Sequence, residues 1–152
     1  MALGIADRVQ LSDVVHRYAA AVDDRRFPDA ADLFTDTAEL ALPNPPDHLD
    51  PVHHFAGPEG VLAALAALQA VPRTEHAIVG EVSGDADAPD RAVGRIACVA
   101  HHWSAQDGQL TDVVWHVRYD DVYRVTGRGW QIERRALTIN AIETRPLRRL
   151  RS

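Results

Sequence analysis

The chain has 152 residues, a formal net charge of −6 at pH 7 and a single cysteine, Cys98. This length predicts one domain with a real hydrophobic core, and the acidic balance argues against a nucleic-acid-binding surface. One cysteine excludes an internal disulfide bond and is typical of a reducing compartment. Because the chain also lacks a long apolar run and a signal-peptide pattern at its start, we predict a cytoplasmic protein that does not bind membranes.

All sixteen basic residues are arginine. The absence of lysine excludes Schiff-base chemistry, lysine-anchored pyridoxal phosphate and a P-loop for nucleotides. The histidines and the cysteine show none of the HxH, HxxxH or CxxC spacings typical of metal sites, so we predict neither a metal ion nor another cofactor. The densest basic segment, Arg145–Arg149, is predicted to belong to a solvated tail, residues 145–152, that follows a single domain over residues 1–144.

The first predicted element is a helix. Apolar residues recur at helical spacing from Leu11 to Val22, and Ser12 and Asp13 have the character of N-terminal capping residues. The pattern predicts that this helix ends near Asp23.

Three further segments complete the first half of the chain. Pro28 suits the first turn of a short helix, Pro28–Phe34, after which Ala38–Leu42 is predicted to be a strand. The segment Pro43–Gly57 holds four prolines and is predicted to be an irregular loop. A third helix is predicted over Pro58–Leu68.

The second half of the chain changes to the pattern of β-strands. Segments rich in β-branched and aromatic residues are separated by the turn sequences GDADAPD, AQDGQ and TGRG. These turns predict an antiparallel meander, and helices followed by a long curved sheet predict an α+β fold with a cavity at its open end. The four predicted strands are His76–Ser83, Arg91–Ser104, Thr111–Thr126 and Gly129–Asn140.

Residues capable of acid–base chemistry lie on three of these elements. Tyr18 and Asp23 lie on the first helix, His76 opens one strand, and His101 and His102 close the next. Histidine titrates near neutrality, and a carboxylate that orients it can set its tautomer and basicity. Three elements that each bring such a group towards one interior are more typical of a catalytic pocket than of scattered surface polarity.

Strand alternation favours His102 over His101 as the inward residue, because His102 shares its face with a run of small and apolar side chains that begins at Ala92. The same argument groups inward candidates on the next two strands. On these strands we predict that substrate-binding residues include Trp115, Tyr119, Asp121, Arg134 and Asn140, with Asp121 as a second candidate for the acid–base carboxylate.

Several short motifs resemble the SnoaL-like branch of the NTF2-like superfamily, which includes scytalone dehydratase, bile-acid dehydratases and small polyketide cyclases. The motifs are YAAAVDD, LFTDTAEL, FAGPEG, TEHAIVG and GWQIERR, spread over nearly the whole chain. The resemblance implies a cone-shaped α+β fold with an apolar pocket, and a homodimer formed through the convex face of the sheet. It also implies that Tyr18, Asp23, His76 and either His101 or His102 occupy the positions of the dehydratase site.

These observations predict a cofactor-independent lyase or cyclase, of dehydratase or polyketide-cyclase type, acting on a hydrophobic, oxygenated small molecule. In this hypothesis Asp23 orients His76 as the base, Tyr18 stabilises the enolate, and His102 helps a hydroxyl to leave. The alternatives are a non-catalytic dimer that binds a small ligand and an isomerase of the ketosteroid isomerase type. An epoxide hydrolase is disfavoured because an Asp–Arg–Asp cluster has no counterpart among the positions predicted to face inward.

Overall fold

The computed structural model describes residues 2–152, which form helices packed on one large sheet. The helices are α1 (Ile5–Asp23), α2 (Phe27–Ala31) and α3 (Gly57–Leu65), and a 3-10 helix, Ala66–Ala70, follows α3. The strands are β1 (Phe34–Asn44), β2 (His48–Ala56), β3 (Arg73–Asp85), β4 (Arg91–Gln106), β5 (Gln109–Thr126) and β6 (Gly129–Pro146). The predicted α+β class is thus confirmed, and within residues 2–152 no helix is long and apolar enough to cross a membrane.

The sheet has six strands in the order β2-β1-β6-β5-β4-β3. Strands β3 to β6 form the predicted antiparallel meander, and β1 joins it by pairing in parallel with β6. Strands β4, β5 and β6 are 16 to 18 residues long. Strands of this length accumulate the right-handed twist of a sheet, which leaves a concave face that the helices cover.

The core lies between α1 and the concave face of the sheet. Leu11, Val15 and Val22 of α1 are each at most 2% exposed and pack in one cluster with Ile96 and Ile132 of the sheet. Burying one side chain of this size stabilises the fold by about 1.5–3 kcal/mol. The apolar spacing seen in the sequence therefore fixes α1 across the sheet, with Tyr18 on its buried side.

The boundaries of the first two helices differ from the prediction. Helix α1 begins at Ile5, not near Ser12, because the backbone N–H of Gly4 donates a hydrogen bond to the Asp7 side chain and caps the helix there. Helix α2 is shorter than predicted and ends at Ala31. It stops early because Phe34 already belongs to β1, where it is fully buried.

The prediction of an irregular loop over Pro43–Gly57 is wrong. Most of this segment is strand β2, which pairs antiparallel with β1. Strand β2 lies at the edge of the sheet, and an edge strand tolerates proline because one of its sides needs no hydrogen-bond donor. Pro51 is therefore compatible with a strand at this position.

Two β-bulges interrupt the pairing of β6 with β5. Val122 pairs with Arg134 and Tyr123 with Ile132, which leaves Glu133 as an extra residue on β6. The second bulge leaves Asn140 unpaired in the same way. An extra residue shifts the alternation of a strand by one position, so side chains beyond it change face.

The backbone of Gly94 lies close to the ring of Tyr123, and a substitution at Gly94 tests how tightly this part of the core is packed. A Cβ atom at this position would lie 2.7 Å from Cε2 of Tyr123, a side chain that is 1% exposed. We expect Gly94→Ala to lower the free energy of unfolding by about 1–3 kcal/mol, because overpacking forces a buried ring to move. Urea denaturation measures this, and Gly127→Ala, where nothing lies within 4 Å of the new atom, is the control.

Candidate active site

A cavity of about 210 Å³ lies between the helices and the concave face of the sheet. Five lining side chains carry polar atoms: Tyr18, His76, His102, Trp115 and Tyr119. The rest of the lining is apolar and includes Leu40, Leu42, Leu65, Leu68 and Leu137. An apolar cavity with a few convergent polar groups is the usual form of a small-molecule site.

Asp23 and His76 form a hydrogen-bonded pair at the wall of this cavity. The Nδ1–H of His76 donates to Oδ1 of Asp23 at 2.7 Å, and the backbone N–H of His76 donates to Oδ2 at 2.8 Å. The hydroxyl of Thr74 donates to Oδ1 at 2.9 Å. Three donors thus fix the carboxylate, and the carboxylate fixes the imidazole with Nε2 as its free nitrogen.

The surroundings of Asp23 favour its ionised form. Burial by itself would raise the pKa of this carboxyl, but the hydrogen bonds from the side chain and backbone of His76 and from Thr74 outweigh burial and lower the pKa below its ordinary value. The neighbouring Asp24, by contrast, is exposed. The C-terminal end of α1 disfavours an acid, and His76 and Thr74 supply the specific partners that hold one there.

His102 lies on the same cavity, with its ring centroid 6.4 Å from that of His76 and 4.4 Å from that of Trp115. Its Nδ1–H donates to the backbone carbonyl of Val113 at 2.8 Å. Burial lowers the pKa of His102, while the hydrogen bond to the Val113 carbonyl acts in the opposite direction. At neutral pH His102 is therefore uncharged, and Nε2 is a hydrogen-bond acceptor.

His101 lies on the opposite face of the sheet, as strand alternation predicts. Its Nδ1–H donates to Oδ2 of Asp112 at 2.6 Å, and its ring stacks on Trp103 with centroids 5.7 Å apart. The two adjacent histidines thus serve different faces, and only His102 lines the cavity.

The two tyrosines of the cavity lining, Tyr18 and Tyr119, both pack against the guanidinium group of Arg135. The guanidinium carbon of Arg135 lies 4.5 Å from the ring centroid of Tyr18 and 4.3 Å from that of Tyr119. Arg135 is fully buried and binds both carboxylate oxygens of Asp121, at 2.8 and 2.7 Å. Burial raises the pKa of Tyr18, so its hydroxyl stays protonated and is able to donate a hydrogen bond.

Three of the predicted substrate-binding residues do not line this cavity. Arg134 and Asn140 are exposed, because the bulge at Glu133 turns Arg135 inward in place of Arg134 and Asn140 itself lies in the second bulge. Asp121 is buried, but its carboxylate accepts hydrogen bonds from Arg135 and from Tyr123 and lies outside the cavity lining.

The Asp121–Arg135 pair is the feature that the sequence did not indicate. Arg135 and Asp121 form a single inward pair outside the lining of the cavity, which is not the Asp–Arg–Asp cluster expected of an epoxide hydrolase. Only recognition of the bulge at Glu133 could have revealed this pair. Among residues 2–152, no three His, Cys, Asp or Glu side chains converge as ligands for a metal ion.

The ionised Asp23 leads to a prediction about acid stability. Because folding lowers its pKa, Asp23 contributes stability above the pKa of the unfolded carboxyl, about 3.9, and this contribution is lost as the pH falls through the lower folded value. Wild type should be more stable than Asp23→Asn at pH 6, and the difference should shrink towards pH 3. Urea denaturation at several pH values measures it, and a difference that stays constant with pH would contradict the assignment.

Comparison with known proteins places this site in a family. A SnoaL-like domain matches residues 4–136. Among curated proteins, none is a significant match. The chain is similar to a solved NTF2-like protein with a cystatin-like fold from Novosphingobium aromaticivorans, with 18% identity, a TM-score of 0.69, and coverage of 90% of this chain and 83% of that one.

Two other similar structures bear the names of enzymes. One is a proposed scytalone dehydratase from Novosphingobium aromaticivorans, with 16% identity, a TM-score of 0.77, and coverage of 91% of this chain and 87% of that one. The other is a type 2 hexachlorocyclohexane dehydrochlorinase, LinA, with 17% identity, a TM-score of 0.71, and coverage of 95% and 93%. At these identities the likeness concerns the fold. From the match over residues 4–136 and from the shared architecture, the chain belongs to the SnoaL-like domain family and has the NTF2-like fold.

Proposed function

We propose that the protein is a cofactor-independent acid–base lyase that eliminates water from a hydrophobic β-hydroxy carbonyl compound. The observation that supports this proposal most strongly is the hydrogen bond between Asp23 and His76 at the wall of an apolar cavity. A neutral imidazole with one nitrogen held by a carboxylate is a general base at its other nitrogen. The side chain of His76 is only 9% exposed, so little water competes with the substrate for that nitrogen.

In the first step, Nε2 of His76 removes a proton from the carbon next to the substrate carbonyl. The electron pair of the broken C–H bond forms an enolate, whose oxygen accepts a hydrogen bond from the Tyr18 hydroxyl. Asp23 stabilises the imidazolium that results, because its carboxylate already accepts the Nδ1 proton. The proton thus rests on His76 while the negative charge rests on the substrate oxygen.

In the second step, the enolate re-forms the carbonyl and expels the hydroxyl on the neighbouring carbon. The proton held by His76 passes to the departing oxygen, so the products are an enone and water and His76 returns to its neutral form. His102 is neutral at rest and accepts a hydrogen bond from the substrate hydroxyl at Nε2. Its role is therefore to orient the leaving group, which refines the broader expectation that His102 helps a hydroxyl to leave.

The names of two similar structures give support of a different kind. Dehydratases and dehydrochlorinases both carry out eliminations, and the structures named as a proposed dehydratase and as a dehydrochlorinase have this fold. The fold hosts many chemistries. This likeness therefore supports an elimination reaction but does not identify its substrate.

The proposal is tested by incubating the protein with neutral one- and two-ring β-hydroxy ketones and following enone formation by ultraviolet absorbance. At least one member of the panel should be converted faster by the wild type than by His76→Ala at equal concentration. If no member distinguishes the two proteins, while nuclear magnetic resonance shows that ligands enter the cavity, the chain is a ligand-binding protein and the proposal fails.

A further inference from the structure

The size of the cavity limits the substrate of the proposed elimination. An apolar cavity of about 150 Å³ is large enough for benzene. The cavity beside His76 measures about 210 Å³, which accommodates one substituted ring, or two fused rings that reach its open side. The rigid four-ring skeleton of a steroid is too large to enter without displacing the leucines of the wall.

The charge of the lining limits the substrate further. None of the residues that line the cavity in the described chain is Asp, Glu or Arg. Asp23 is turned away behind His76, and Arg135 is neutralised by Asp121 and separated from the cavity by Tyr18 and Tyr119. A carboxylate or phosphate would therefore lose its hydration without gaining a counter-charge, which is costly for an ion.

The hydrogen-bonding groups of the cavity select the remaining chemistry. The Val113 carbonyl holds the proton of His102 on Nδ1, so the cavity meets the bare Nε2 of this ring. An acceptor in an apolar wall requires a donor from the ligand, and leaving it unpaired costs binding free energy. A hydroxyl group supplies that donor, whereas an ether does not.

From these three observations we infer that the substrate is a neutral molecule of one or two rings whose hydroxyl group donates to His102, and that carboxylates, phosphates and four-ring skeletons are excluded. This inference rests on the proposed function, because it names the substrate class of that elimination. It removes the steroid-like and large polyketide candidates from the range that the sequence left open.

The test is a binding experiment with four probes that cannot react. The probes are 2-naphthol, its methyl ether, 2-naphthoic acid and a neutral four-ring steroid, titrated into the protein while the Cε1–H resonance of His102 is followed by nuclear magnetic resonance. Naphthol should bind about tenfold more tightly than the ether, because the ether leaves Nε2 unpaired. The acid and the steroid should bind at least a hundredfold more weakly than naphthol, or not at all.

Two variants separate the role of His102 from general packing. In His102→Phe, the preference for naphthol over the ether should disappear, with intrinsic protein fluorescence as the readout. His116→Phe makes the same change on the outer face of β5 at a partly exposed site, and should keep the preference. Equal binding of naphthol and ether to the wild type, or tight binding of the acid or the steroid, would overturn the inference.

The inference about the substrate class and the proposed elimination can be refuted independently of each other. If the probes bind with the expected preferences but no β-hydroxy ketone is converted, the proposed elimination is wrong. If elimination is found on a charged or four-ring substrate, the proposed function stands and the inference about the substrate class is wrong.

Discussion

The loss of His76 is expected to lower kcat for the proposed elimination about 10²–10⁴-fold, because His76→Ala removes the group that takes the proton. KM should change little, since the apolar wall that binds the ring system remains. Stopped-flow or steady-state absorbance of the enone measures both constants. A comparable fall in the control His116→Ala, whose ring lies on the other face, would show that the loss reflects folding instead of chemistry.

Asp23→Asn should produce a loss of similar size by a different route. The amide of asparagine can donate to Nδ1 of His76, which places the imidazole proton on Nε2. A protonated Nε2 has no free lone pair and cannot remove a proton from the substrate. The ¹⁵N resonances of His76 report the tautomer without any substrate, and should show a proton on Nδ1 in the wild type and on Nε2 in the variant. A variant that keeps full activity and the wild-type tautomer would show that Asp23 does not orient His76.

The second large effect concerns stability. Removing one partner of the Asp121–Arg135 pair is expected to lower the free energy of unfolding by about 3–5 kcal/mol, because it leaves a buried charge without compensation. Burial alone would lower the pKa of Arg135, but its attraction to Asp121 and the hydrogen bonds between them outweigh burial and raise it, so the guanidinium remains charged. Arg135→Met keeps most of the volume and isolates the electrostatic loss. Urea denaturation measures it.

A matched comparison is available at Asp120, the residue next to Asp121 on β5. Asp120 pairs with Arg118 at 2.7 Å, but both side chains are about 40% exposed. Asp120→Asn should cost less than about 1 kcal/mol, because exposed ion pairs are weak. The double variant Arg135→Met/Asp121→Asn should be less destabilised than the sum of its single changes. If Arg135→Met costs no more than Asp120→Asn, the buried pair is not a strong contributor to stability.

Much of the fold follows from local patterns that the sequence displays openly. The helical spacing from Leu11 to Val22 places Tyr18 on the buried side of α1, and alternation along β4 places His102 and not His101 on the cavity. Both inferences depend only on the periods of a helix and a strand, 3.6 and 2 residues. The contact between Asp23 and His76 joins elements far apart in the chain, and it was expected because of the family resemblance.

The features that were missed depend on contacts that no local pattern shows. A bulge at Glu133 exchanges the faces of Arg134 and Arg135, two identical residue types, so composition gives no sign of the exchange. Similarly, Pro51 argued for a loop because nothing in the sequence shows that β2 lies at the edge of the sheet. In both cases the structure depends on how the strand pairs with its neighbour. This register is set by the whole sheet and not by the local sequence.

The pairing of Asp23 with His76 joins the helical layer to the sheet. Helix α1 carries the carboxylate and the Tyr18 hydroxyl, while β3 and β4 carry the two imidazoles. Because α1 also supplies one side of the hydrophobic core, the imidazole loses its orienting partner when that core opens. Activity should therefore decay together with the circular dichroism of the strands, and the tautomer of His76 would report whether the first helix is docked on the sheet.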